Sequence, residues 1–191
     1  HGIGVYGFLI KALSGLSPII FFKKMQKVML FAFSTASSNA TIPITLRTVE
    51  HDLGVDNKVA SFSIPLGATV NMDGTAIMQG VATVFIAQAY NIDIGIAGYL
   101  MVILTATLAS IGTSGVPGVG LITLTMVLQS VGLPVEGIAL IIGVDRLLDM
   151  IRTGVNVAGD AVVAVIVAKS EKMLDIARYN NESLNVESEP V

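Results

Sequence analysis

Long uncharged stretches alternate with short polar, glycine-rich interruptions along most of this chain. The longest, residues 94–135, contains no Asp, Glu, Lys or Arg and is about twice the ~20 residues that one membrane-spanning helix needs. It therefore has to turn back on itself. The uncharged stretches are residues 28–46, 59–72, 74–92 and 94–135, and a last apolar segment, 135–168, contains charges.

Two of these stretches are interrupted near their midpoints, at residues 37–43 and 112–120, where Ser, Thr, Gly and Pro accumulate. Such residues end helices. The halves are too short to span a bilayer, which predicts two re-entrant hairpins with their tips at membrane depth. Irregular backbone at that depth is tolerated only where it is buried in protein or lines a cavity. The tips therefore indicate a binding site.

The pattern predicts an all-α integral membrane protein with two re-entrant hairpins and two long, partly unwound transmembrane helices. A hairpin followed by a spanning helix occurs twice, in opposite orientations, as in the inverted-repeat core of many secondary transporters. The predicted segments are 1–13, the end of a truncated transmembrane helix; 14–57, hairpin 1; 58–92, an interrupted helix; 93–133, hairpin 2; 134–169, a transmembrane helix; and 170–191, a polar disordered tail.

Basic residues predict the orientation, because Lys and Arg near membrane ends favour the cytoplasmic side. Of the 11 basic residues, all but Arg146 and Arg152 flank hairpin 1 or follow the last helix. We therefore expect a multi-pass protein of the cell (inner) membrane with a cytoplasmic C-terminus.

Composition agrees with a lipid environment: 53% of the residues are hydrophobic, 13% are charged, and the mean hydropathy is +0.77. The net charge of −3 and the lack of a basic cluster argue against a nucleic-acid partner. Without cysteine, no disulfide or thiolate metal site is expected. No nucleophile is paired with a base, so an enzyme is not predicted.

One face of the last segment is polar. Asp145, Asp149, Arg152, Asn156 and Asp160 follow at intervals of four, three, four and four, which places them within an arc of roughly 80°. Ionisable groups inside a membrane are costly and usually face a transport pathway. The alternative is an ion-pair ladder that only offsets its own burial.

A further acid, Asp73, interrupts an apolar stretch within Asn71-Met72-Asp73-Gly74-Thr75. Unwinding here would supply backbone carbonyls beside a carboxylate, the oxygen ligands that hard cations prefer. The alternative is that Asp73 caps the second half-helix.

These motifs, together with the serine-rich tip at 37–43 and the glycine-rich tip at 115–118, resemble the dicarboxylate/amino acid:cation symporter family, which includes the glutamate transporters. The resemblance covers residues 15–171, in family order and spacing. It implies a secondary active symporter that couples sodium entry to the uptake of aspartate or glutamate. It also implies a homotrimer and an outer gate formed by hairpin 2.

The resemblance also implies roles for individual residues. Arg152 would bind the substrate side-chain carboxylate and Asp149 its amino group. The full set of implied substrate contacts is Ser38, Thr75, Val116, Gly120, Asp149, Arg152, Thr153 and Asn156. The implied sodium ligands are Gly67, Asn71, Asn156 and Asp160 for one site, Thr69, Met72, Ser110, Ile111 and Thr113 for a second, and Asp73 with the Asn71 side chain for a third.

Departures from the family pattern leave alternatives open. Ala36 and Met150 stand where archaeal and animal members, respectively, carry arginine, and Arg146 lies one turn before Met150. A C4-dicarboxylate is the alternative substrate, because Arg152 alone would bind it. Proton coupling is the alternative to sodium, although Asp160 favours sodium. An ion channel is the alternative of a different class, since re-entrant loops also form selectivity filters.

Overall fold

The computed structural model describes residues 1–181, which are all-α apart from one isolated pair of extended residues, Val55 and Leu174. A π-helical turn, Ile10–Ser14, continues α1, and a 3-10 helix, Val135–Leu140, precedes α8. The α-helices are α1 Gly4–Leu9, α2 Pro18–Thr35, α3 Ser38–His51, α4 Asn57–Val70, α5 Asp73–Ala89, α6 Gly95–Ser110, α7 Val119–Ser130, α8 Ile142–Ser170 and α9 Ile176–Asn180. The all-α prediction is confirmed.

Helices α2 and α3 pack against each other and are joined by only two residues. Ala36 takes a left-handed conformation with φ of 51°, which ends α2. Ser37 is extended, and its Oγ accepts a hydrogen bond from the Ala40 amide at 3.2 Å. The prediction of an irregular tip is wrong for residues 38–43, which are helical because the Ser37 side chain caps the first turn.

Helices α6 and α7 form a second packed pair with a longer connection, residues 111–118. Gly112 and Gly118 lie in this connection with φ of 79° and 82°. L-residues with a side chain rarely adopt such angles, so glycine permits the sharp reversal and the start of α7.

Between the two pairs, α4 and α5 are two parts of one interrupted helix. Asn71 and Met72 leave the helical conformation, with φ/ψ of −91°/81° and −112°/46°. Asp73 is the first residue of α5, one residue after the cap position. The interruption is therefore shorter than the predicted unwinding at residues 71–75.

Helix α8 is the element around which the others pack, and its contacts divide the hydrophobic core in two. One apolar cluster joins α1, α2, α4 and the second half of α8, with Phe21, Met25, Ile64 and Val165 at its centre. The other joins α5, α6 and α7. The polar face of α8 belongs to neither cluster, which leaves a polar region between two apolar ones.

Large apolar side chains also cover much of the outer surface. On α6, Ile96 is 81% exposed, and Leu100, Ile103 and Leu108 are similarly open. Within residues 1–181 one helix, Ile142–Ser170, is long and apolar enough to cross a membrane by length and composition. Helices α6 and α7 are apolar but shorter.

The residues after α8 fold back onto the α3–α4 connection. Gly54 and Asp56 pair through backbone hydrogen bonds with Asp175 and Met173. The prediction of a disordered tail is therefore wrong for residues 170–181. Its remaining part, 182–191, lies outside the described residues.

Lys24, a buried residue of α2, holds this C-terminal segment in place. Its side chain is 3% exposed, and Nζ donates to the carbonyl oxygens of Asp52, Arg178 and Tyr179 at 2.7, 2.8 and 2.8 Å. The Tyr179 hydroxyl donates in turn to the Ser17 carbonyl at 3.0 Å. Burial raises the pKa of Asp52, and the charge of Lys24 opposes that rise.

Replacing Lys24 by Met should release this segment, because three carbonyl groups lose a charged donor. We expect Lys24→Met to lower the free energy of unfolding by about 2 kcal/mol or more and to expose residues 171–181 to protease. Lys27→Met, an exposed change one turn later on α2, is the control. Equal protease resistance of the two variants would contradict this role of Lys24.

Candidate substrate and cation site

The polar face of α8 is buried among the connections of the other helices. Asp149, Arg152, Asn156 and Asp160 are each 3–5% exposed. The predicted site residues Ser38, Thr75 and Thr153 are equally buried. Buried polar groups require partners, and the interrupted helices supply them.

Asp149 joins the arginine of α8 to the connection between α6 and α7. Its Oδ1 accepts from Arg152 Nε at 2.9 Å, and its Oδ2 accepts from the Gly118 amide at 2.8 Å. The Arg152 Nη1 atom lies 3.7 Å from Asp145 Oδ1, and Nη1 has no hydrogen-bond partner among the described residues. The guanidinium therefore keeps an unused donor.

Asn156 joins α8 to the interruption between α4 and α5. Its Oδ1 accepts from the Gly74 amide at 2.7 Å, and its Nδ2 lies 3.3 Å from Thr75 Oγ1 and 3.2 Å from Met72 Sδ. A Cβ atom on Gly74 would lie 2.6 Å from the Arg152 carbonyl oxygen. Glycine at this position lets α5 begin directly against α8.

The α2–α3 connection and the α6–α7 connection meet over the polar face of α8. The Gly115 carbonyl accepts from Ser37 Oγ at 2.7 Å and from the Asn39 amide at 3.1 Å. A Cβ atom on Gly115 would lie 3.0 Å from Ser38 Cβ. The two tips are therefore in direct contact.

A cavity lies between the tips and α8. Most of its lining consists of predicted substrate residues, and Gly120 packs so closely on the Arg152 guanidinium that a Cβ atom there would lie 2.5 Å from Cζ. The lining residues are Ala36, Ser38, Met72, Thr75, Thr113, Ser114, Gly115, Val116, Gly120, Asp149, Arg152, Thr153 and Asn156. All eight predicted substrate residues are among them.

Three helices begin at this cavity: α3 at Ser38, α5 at Asp73 and α7 at Val119. Helix N-termini carry partial positive charge and free N–H groups, which bind anions. With Arg152, they give the cavity a positive potential that is offset by Asp149.

Oxygen atoms suited to a cation lie on the other side of the interruption. Asp160 Oδ1 accepts from Asn71 Nδ2 at 2.9 Å, and the same Nδ2 lies 3.3 Å from the Asn156 carbonyl oxygen. A Cβ atom on Gly67 would lie 2.5 Å from Asp160 Oδ1. A carboxylate with an asparagine side chain and a backbone carbonyl group nearby offers the oxygen ligands that hard cations such as sodium take. The structure thus brings together the four residues predicted for the first sodium site.

The second predicted set lies where α4 meets the end of α6. The Gly112 amide donates to the Thr69 carbonyl at 2.9 Å, which places Thr69 beside the segment formed by Ser110, Ile111 and Thr113. Met72 lies in the interruption that follows. These residues are neighbours, and their role as sodium ligands stays a prediction.

Asp73, predicted for a third site, accepts at Oδ2 from the Tyr6 hydroxyl at 2.9 Å, and His1 Nε2 lies 3.0 Å from the same oxygen. Sequence patterns did not indicate Tyr6, which is 67 residues away in an apolar stretch. They also missed the Gly118 amide. Gly118 carries a weak signal, since glycine before a helix often marks a left-handed turn.

Comparison with known proteins identifies the family of this chain. The model of the sodium:dicarboxylate symporter family matches residues 1–170, and the chain belongs to that family, whose members are multi-pass membrane proteins. An excitatory amino acid transporter of Caenorhabditis elegans is 50% identical over 151 residues, 79% of this chain and 30% of the relative. Human excitatory amino acid transporter 3 is 45% identical over 172 residues, 90% of this chain and 33% of the relative.

Human excitatory amino acid transporter 5 is 44% identical over 168 residues, 88% of this chain and 30% of the relative. The chain thus spans about a third of the length of these relatives. The family match, residues 1–170, includes both helical pairs, the interruption and α8.

Two helical glycines should respond oppositely to alanine. A methyl group on Gly67 would collide with Asp160, so Gly67→Ala should destabilise the fold by about 1–3 kcal/mol. A methyl group on Gly80 in α5 would have no other atom within 4 Å, so Gly80→Ala should leave stability unchanged or raise it by up to about 1 kcal/mol. Thermal unfolding in detergent measures both. A loss at Gly80 as large as that at Gly67 would contradict the close contact.

Proposed function

We propose that this chain forms the substrate- and ion-binding part of a secondary active symporter that couples sodium entry to the uptake of aspartate or glutamate. The Asp149–Arg152 pair in the cavity carries the proposal. Its two charges match those of an amino acid with an acidic side chain. Three relatives bearing the name excitatory amino acid transporter support the same substrate class.

Arg152 would bind the side-chain carboxylate of the substrate. The guanidinium is a rigid planar donor group suited to carboxylates, and its Nη1 atom, 3.7 Å from Asp145 Oδ1, has no hydrogen-bond partner within residues 1–181. Asp149 would accept the substrate ammonium group through the carboxylate that now bonds Gly118 and Arg152. The α-carboxylate would take the amide groups at the starts of α3 and α7 and the side chain of Asn156.

Binding would also connect the substrate to the gate. Because the Gly118 amide donates to Asp149, a ligand on Asp149 alters the contact that holds the α6–α7 connection over the cavity. Opening and closing of this pair would then control access to the site. The pair α6–α7 is the outer gate in this proposal.

Sodium would bind next to the substrate, without direct contact with the charged groups of the substrate. Asn156 takes part in both sets, through its side chain toward Gly74 and Thr75 and its carbonyl toward Asn71. A cation near Asp160 would neutralise a carboxylate that is 3% exposed. Sodium binding would favour close packing of the α4–α5 interruption against α8. Because the substrate site needs the same packing, the binding of sodium and the binding of substrate would be coupled.

In the membrane, α2–α3 and α6–α7 would be re-entrant hairpins. Helices of 12–18 residues reach about 18–27 Å, less than the ~30 Å hydrocarbon core, and their connections meet at the buried site. The two halves would form an inverted repeat, with the C-terminus in the cytoplasm of a cell-membrane protein. The resemblance also favours a homotrimer for the full-length protein.

A C4-dicarboxylate is the second candidate substrate, because Arg152 and three helix N-termini could bind two carboxylates. Asp149 argues against it, since this buried acid would face a substrate without an ammonium group. The two candidates differ in what Asp149 contributes.

Uptake of labelled L-aspartate by proteoliposomes containing the full-length protein tests the proposal. We expect uptake under an inward sodium gradient, none under an equal potassium or proton gradient, and a loss of at least about 100-fold in Arg152→Ala, since a buried charge-assisted contact is removed. Arg146→Ala, on the exposed side of α8, is the matched control and should retain uptake. Uptake driven by protons alone would contradict the sodium site, and currents exceeding any stoichiometric flux would favour a channel.

Replacement of Asp149 separates the two substrate classes. Asp149→Ala removes the acceptor for an ammonium group, so it should abolish aspartate uptake. If the natural substrate is a dicarboxylate, succinate uptake should survive this change. Competition of unlabelled succinate and L-aspartate in wild type and variant measures the difference, and unchanged aspartate uptake in Asp149→Ala would contradict the assignment.

A further inference from the structure

Tyr6 on α1 is buried against the interruption between α4 and α5. Its side chain is 3% exposed and its ring packs in the apolar cluster around the second half of α8. Its hydroxyl, however, does not point into that cluster's apolar interior but donates to Asp73 Oδ2 at 2.9 Å. A buried hydroxyl aimed at a carboxylate across 67 residues of sequence suggests a function beyond packing.

Gly159 shows how closely this hydroxyl approaches the cation residues. A Cβ atom on Gly159 would overlap the Tyr6 hydroxyl oxygen and lie 2.5 Å from Asn71 Nδ2. Asn71 Nδ2 in turn donates to Asp160 Oδ1. The Tyr6 hydroxyl and the Asn71 amide thus meet on the surface of α8 directly before Asp160, between the two acids proposed to bind sodium.

We propose that Tyr6 is a positioning residue for sodium binding: by donating to Asp73 Oδ2, it fixes the carboxylate of Asp73 beside Asn71. This inference rests on the proposed function, because it assumes that Asp73 and Asn71 serve a sodium site. The Tyr6 hydroxyl would act through Asp73 without replacing it as a ligand. Hydrogen bonds of this kind orient metal-binding carboxylates, and their loss commonly weakens metal binding about 10- to 100-fold.

Tyr6 also connects sodium binding to α1. The same ring belongs to the core cluster that includes Ile10 and Val157, so Asp73 is held by an element outside the helices that line the substrate cavity. A shift of α1 would move the hydroxyl and release Asp73. Sodium affinity would then depend on how α1 packs against α8.

Tyr6→Phe removes the hydroxyl and keeps the ring, so it tests positioning with little change in packing. The experiment measures the thermal unfolding temperature of the purified full-length protein at increasing sodium chloride, with choline chloride keeping the ionic strength constant. The sodium concentration that gives half of the stabilisation should rise about tenfold in Tyr6→Phe. The unfolding temperature without sodium should fall only slightly, since a single hydrogen bond is lost and the ring is kept. Tyr99→Phe, on a half-exposed residue of α6, is the matched control and should respond as wild type.

Each outcome has one meaning. An unchanged sodium requirement in Tyr6→Phe overturns the inference while the proposed function stands. A wild-type protein whose unfolding temperature does not respond to sodium contradicts the sodium coupling and the inference with it. A lower unfolding temperature without sodium, combined with an unchanged sodium requirement, would show that the hydroxyl serves packing only.

Discussion

The hydrogen bonds of Asp149, Asn156 and Asp160 on one face of α8 hold the centre of this molecule together. These groups are almost fully buried between two apolar clusters, and an unsatisfied buried polar group costs about 1–3 kcal/mol, more when charged. Regular helices cannot satisfy them, because their own backbone groups are already paired. The neighbouring chain therefore has to break where it meets α8, and each break brings free amide or carbonyl groups: Gly118 to Asp149 and Gly74 to Asn156.

In the proposed function, the same requirement would also prepare the site for coupled transport. The breaks that satisfy α8 place three helix N-termini near a cavity and bring the Asn71 side chain to Asp160. The groups proposed to bind the anionic substrate and those proposed to bind sodium thus lie on opposite sides of one short interruption, Asn71-Met72. Asn156 has contacts on both sides. In the proposed function, a ligand on either side would stabilise the packing that the other needs, which is the reciprocity that a symporter requires.

Much of this could be predicted from the sequence, because helices in lipid need long stretches without charged residues. Uncharged stretches, their glycine- and serine-rich interruptions and the spacing from Asp149 to Asp160 predicted the helical pairs and the polar face. Rules based on local sequence failed where contacts between residues far apart in the chain determine the structure. Residues 38–43 look irregular, yet the Ser37 cap makes them helical. Residues 170–181 look like a solvated tail, yet Lys24 and Ser17 supply partners for Tyr179 from the other end of the chain. Tyr6 could not be recognised, since only folding brings it to Asp73.

The central claim is that acidic substrate and sodium bind to one connected site on α8. Isothermal titration of L-aspartate into the purified full-length protein at several sodium concentrations tests this most directly. The account predicts that aspartate affinity rises steeply with sodium, and that potassium at the same ionic strength has no such effect. An aspartate affinity that is the same in sodium and in potassium would contradict it.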